Sequence, residues 1–82
     1  MFTVNRDIRD YLADQFTVAV GGVGDHDDLI EAEIIDSLGI FMLVSFIREH
    51  FGVEVEPEEV DIHNFRSLAA ISRLVEAKLA SA

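Results

Sequence analysis

The stretch EIIDSLGIFMLV, residues 33–44, sets an acid and a hydroxyl, Asp36 and Ser37, inside a nearly continuous apolar run. Both are strong N-cap types, because a short side-chain oxygen can accept a hydrogen bond from the free amides at a helix start. Leu38 to His50 continues with residues that suit a helix, and Gly52 follows where a left-handed cap would fit. A helix over 37–50 is therefore predicted. With Ile40 at 0° and ~100° per residue, Leu43, Val44, Ile47 and Phe51 fall within about 60° of it, a complete core stripe. Leu38, Met42, Ser45 and Glu49 lie on the opposite side, and Phe41 and Phe46 flank them. Such a helix is greasier all round than a solvated one should be. Two readings stand: the second face is a partner site, or the helix is central enough to be buried on two sides.

Outward from this helix, the remaining periodicities are also helical. Val4, Ile8, Tyr11, Leu12 and Phe16 form one stripe of a 3.6-residue period, predicting a helix over 3–16. A long loop, 17–36, combines glycines with Asp25, Asp27 and Asp28. Its GGVG has no following GK[ST] and no preceding strand, so it reads as a flexible connection rather than a phosphate cradle. Pro57 followed by two glutamates makes a good first helical turn, predicting a short third helix over 58–62. Ser67 precedes Leu68, Ile71, Leu74, Val75 and Leu79, predicting a capped helix over 67–80. The expectation is an all-α, small four-helix bundle in a single domain, 1–82.

Composition narrows the function. The 82 residues contain no cysteine, which removes disulfides and thiolate metal sites. The N-terminal stretch carries Arg6, Asp7, Arg9 and Asp10 among its apolar positions, unlike a secretory signal. The longest apolar run is about ten residues, against the ~20 needed to span a bilayer. A soluble, cytoplasmic monomer is expected. Net charge is −10, and residues 25–61 hold twelve acids against one base, Arg48. That patch repels nucleic acid and anionic membranes and favours protein partners with basic surfaces.

Ser37 has two readings on residue type alone. It is either part of a helix cap or a hydroxyl placed for modification, since a phosphate ester there would be held by free amides and the helix dipole. Nucleophilic catalysis finds no support: His26, His50 and His63 are scattered without triad or metal-ligand spacing.

The block EIIDSLGIFMLVSFIREHFGVEVEPEEVDIHNFRSLAAISRLV resembles the acyl and peptidyl carrier proteins. The landmarks are D-S-L at Asp36, Ser37 and Leu38, F-G at Phe51 and Gly52, the acidic stretch after Pro57, and N-F-x-S-L from Asn64 to Leu68. The resemblance implies a non-catalytic, metal-free carrier acting with partner enzymes. Ser37 would receive 4′-phosphopantetheine from coenzyme A, through a phosphopantetheinyl transferase that uses magnesium. Asp36 resembles the acid that helps the transferase position its metal. Leu38 and the exposed face of the second helix would dock partners: an acyl- or aminoacyl-loading enzyme, an acyltransferase or a ketosynthase. Phe41, Met42, Ser45 and Glu49 occupy that face here, and Ile62 lies where relatives contact partner or arm. Gly39, Met42 and Arg48 depart from the acids usual in carriers of primary fatty-acid synthesis. That departure points to a standalone carrier of a polyketide, nonribosomal peptide or aminoacyl pathway. The alternatives are a fatty-acid carrier or an arm-free acidic helical adaptor.

Overall fold

The computed structural model describes residues 3–16 and 24–81. The chain is all-helical. Helix α1 spans Val4–Phe16, α2 Ser37–Phe51, α3 Ile62–Phe65 and α4 Leu68–Ser81, with a 3-10 turn at Pro57–Glu59. Among the described residues there is no strand. Most of the GGVG stretch lies outside the described residues, so the reading of it as a flexible connection is left there.

The apolar stripes seen in the sequence converge on one core. Val4, Ile8 and Leu12 of α1 meet Leu43, Ile47 and Phe51 of α2 and Leu68, Ile71 and Val75 of α4, all buried. Phe65 of α3 closes the cluster, and Leu29 and Ile35 bring the connecting segment into it. Full burial of such side chains contributes roughly 1.5–3 kcal/mol each in transfer free energy, which supplies the cohesion a cysteine-free chain must find in packing. Val53 and Val55 also turn inward, between exposed glutamates, so their brief alternation is extended chain laid on the core.

The third helix differs from expectation. A short helix over 58–62 is replaced by two pieces: the 3-10 turn Pro57–Glu59, then α3 starting at Ile62. Between them Asp61 takes an extended backbone, and its carboxylate accepts the Asn64 amide at 2.9 Å. An N-cap residue cannot also lie inside the preceding helix, so Asp61 ends one element and opens the next. Glu56 and Glu59 close the 3-10 turn reciprocally, with the Glu56 amide donating to Glu59 at 2.8 Å.

Three acids of the acidic segment are tied to bases outside it. Asp25 pairs with Arg9 of α1, Asp28 with Arg66 at 2.6 Å, and Glu59 with Lys78 of α4 at 2.6 Å. Three of the six Lys and Arg residues thus fasten the loop and the 3-10 turn to the rest of the bundle. The other acids, including Glu31, Glu33, Glu49, Glu54, Glu56, Glu58 and Asp61, remain exposed.

Candidate functional site

Asp36 opens α2. Its backbone is extended and its carboxylate Oδ1 accepts the Gly39 amide at 2.9 Å, while its carbonyl accepts the Ile40 amide at 2.9 Å. Upstream, the amides of Ile34 and Ile35 both donate to the Leu29 carbonyl, and the Leu29 amide donates to the Arg66 carbonyl at 2.7 Å. Asp28 holds the same corner, accepting the Ile30 and Glu31 amides as well as Arg66. Those bonds, the Glu31 amide foremost and then Arg66, hold the Asp28 carboxyl below the usual carboxylate range. The turn is completed at Glu33, a non-glycine residue in the left-handed region (φ 60°).

Ser37, the first residue of α2, is exposed, and among the described residues its hydroxyl has no hydrogen-bond partner. It lies on an open groove of about 490 Å³ lined by Ile30, Glu33, Ile35, Asp36, Ile40 and Ile62. Four isoleucines and two carboxylates therefore surround a free hydroxyl at a helix head. Beyond it, Leu38 is 67% exposed and Phe41 62% exposed, and across the groove Ile62 is 55% exposed. These three are the exposed large apolar side chains among the described residues. Ser45 and Glu49 are also exposed on α2.

Met42 behaves otherwise. It was expected on the free face of α2, yet it is half-buried, and its carbonyl accepts the Tyr11 hydroxyl at 3.2 Å. Tyr11 stacks on Phe46, which stacks in turn on His50. Burial, with Glu49 adding its charge, raises the Tyr11 pKa above the ordinary phenol value. The reading of α2 as buried on two sides thus holds for part of the helix, and another part is left exposed. Its second side is covered by α1 near Met42 and Phe46 and open at Leu38 and Phe41. The Tyr11–Phe46 stack was not legible from the wheel of α2 alone, because its partner sits on another helix.

His50 is bonded to Asp7 at 3.0 Å, and no group of three metal-ligating side chains occurs among the described residues. No helix among the described residues is long and apolar enough to cross a membrane.

The all-helical bundle thus places an exposed serine, unbonded among the described residues, at the head of a helix beside an apolar groove. The family model described as "phosphopantetheine attachment site" matches residues 6–75, and the chain belongs to that family. Against curated proteins there is no match. Members of the family carry 4′-phosphopantetheine covalently, and the chain is a carrier that holds acyl groups on that arm and works with partner enzymes and a phosphopantetheinyl transferase. The residues at the head of α2 fit the group: an exposed hydroxyl could be esterified, a helix N-terminus would favour the phosphate, and an isoleucine-lined groove could take an apolar acyl load. When attached, the arm supplies a thiol, which this cysteine-free chain lacks.

Proposed function

We propose that Ser37 is the attachment point and that the chain presents acyl or aminoacyl intermediates, as thioesters, to the enzymes of a polyketide, nonribosomal peptide or related secondary-metabolite pathway. The observation that carries the attachment is the Asp36-capped turn, which leaves the Ser37 hydroxyl exposed and unbonded at the groove. The pathway reading is supported by the exposed face around it. Leu38 and Phe41 offer exposed apolar contact, and Gly39, Met42 and Arg48 stand where a fatty-acid carrier of the usual pattern has acids. In this reading Leu38, Phe41 and Ile62 form the docking surface, Ser45 and Glu49 its rim, and the exposed acids around them meet basic side chains of the partner. The chain itself performs no catalytic step, and it acts as a monomer in a single domain.

Incubation with a broadly specific phosphopantetheinyl transferase, coenzyme A and magnesium adds one arm to the wild type and none to Ser37→Ala. A wild type that stays unmodified contradicts the attachment. Phe41→Glu tests the docking face. Because Phe41 is exposed, this change leaves stability within about 0.5 kcal/mol while slowing acyl transfer from the cognate loading enzyme. An unchanged transfer rate removes Phe41 from the surface.

A further inference from the structure

Gly39 follows the D-S-L triplet and is buried. It has ordinary helical backbone, so no left-handed conformation calls for glycine. Its reason is space. A Cβ placed there would meet Cε1 of Phe16 at 3.0 Å, Cζ of Phe16 at 3.2 Å and Cβ of Ile35 at 3.2 Å. The last residue of α1 thus lays its ring directly against the backbone of the first turn of α2, two residues beyond Ser37. On the other side, Ile35 is 2% exposed and its amide is bound to the Leu29 carbonyl, so it has little freedom to yield. Tyr11 reinforces the contact, since its ring meets Phe16 edge-on at 6.4 Å and its hydroxyl binds the Met42 carbonyl.

We infer that the Phe16 ring seated on Gly39 is a positioning contact, which fixes where the first turn of α2 holds Ser37 for arm transfer. This rests on Ser37 being the attachment point. The turn is gripped from two directions, by Phe16 from α1 and by Ile35 and the Asp36 cap from the connecting segment, and Ser37 stands between those grips. With two close-packed neighbours, a methyl group fits only if one of them gives by a few tenths of an ångström. A displacement of even 1 Å at a reacting group can cost ~100-fold in rate, so a shift of a few tenths should be visible in transfer.

The Gly39→Ala variant separates position from stability, because the two respond with opposite signs. Alanine is favoured over glycine inside a helix by about 1 kcal/mol, which offsets the crowding in the folding balance but does nothing for the placement of Ser37. Transfer from coenzyme A, measured on protein folded by circular dichroism, should fall about tenfold in kcat/KM for Gly39→Ala. The double variant Gly39→Ala/Phe16→Leu, which removes Cε1 and Cζ, should regain it to within about threefold of wild type. Unchanged transfer in Gly39→Ala overturns the inference, as does a double variant no better than Gly39→Ala alone. Hydrogen exchange needs no arm and judges the contact separately. The Ile40 amide, bonded to the Asp36 carbonyl, should exchange about tenfold faster in Gly39→Ala than in wild type, with the Leu43 amide unchanged. Equal Ile40 exchange overturns the contact even where Ser37 is modified. Faster Ile40 exchange in a protein whose wild type accepts no arm would uphold the contact and overturn only the attachment reading.

Discussion

Asp36 and Asp61 are the same local device used at two ends of one groove. Each has an extended backbone, and each accepts, at 2.9 Å, the amide three residues on, Gly39 in one case and Asn64 in the other. The residue after each cap, Ser37 or Ile62, is exposed and lines the groove. The difference is what lies behind the cap. α2 runs for 15 residues and buries Leu43, Ile47 and Phe51, whereas α3 is a single turn of 4 residues anchored by Phe65. A cap specifies where a helix starts; what the helix displays depends on the residue that follows it and on how firmly the helix is held. One end presents a hydroxyl, the other an apolar wall.

The comparison breaks most completely at Phe65, the anchor of the shorter end. Phe65 is 0% exposed, and Phe65→Ala should cost about 3–5 kcal/mol, a large part of the stability expected of a chain of this size. Urea denaturation measures it; a loss below about 1 kcal/mol would mean that α3 contributes little to the core. The two caps themselves should separate next. Asp36→Ala should cost about 1–2 kcal/mol and Asp61→Ala about 0.5–1 kcal/mol, since more helix depends on the first. Only Asp36→Ala should also slow arm transfer. Equal slowing by both would erase the distinction between the presenting end and the wall.

The smallest effect concerns the ties that hold each end, and it appears with pH. Asp28, beside the loop that leads into Asp36, and Glu59, two residues before Asp61, both have folded-state pKa values below their ordinary ones. The Glu31 amide and Arg66 are responsible at Asp28, the Lys78 ammonium and the Glu56 amide at Glu59. A carboxylate whose folded pKa is depressed binds fewer protons folded than unfolded, so its stabilisation is fully present above the unfolded value of about 4. It is lost as pH falls through the lower folded value. Asp28→Asn and Glu59→Gln should each lower the thermal midpoint at pH 7 by a small amount. The gap to wild type should shrink as the pH drops below about 4. A gap that persists at low pH would show that the loss is one of packing.

Much of this was legible in the sequence, and what was missed has two causes. The stripes of α1, α2 and α4 follow from local periodicity, and Asp36 and Ser37 announce a helix start by residue type. The family landmarks then assigned those residues to a carrier. Asp61 carried the same signal, an N-cap type three residues before Asn64, but Pro57 and its glutamates drew the helix start forward. The surroundings of Gly39 and Met42 were hidden for another reason. Gly39 looked like a missing acid and Met42 like an exposed apolar side chain, because the wheel of one helix does not include Phe16 and Tyr11 on another. Likewise the acidic segment looked unpaired until Arg9, Arg66 and Lys78 were brought to it from outside.

The most direct test is to locate the arm. The tryptic peptide between Arg9 and Arg48 of the transferase-treated protein contains Ser37 and Ser45, one at the capped head of α2 and one on its exposed flank. Fragmentation of that peptide in a mass spectrometer should place the whole added mass on Ser37. An arm on Ser45, or on any residue outside the Asp36-capped turn, would contradict the account.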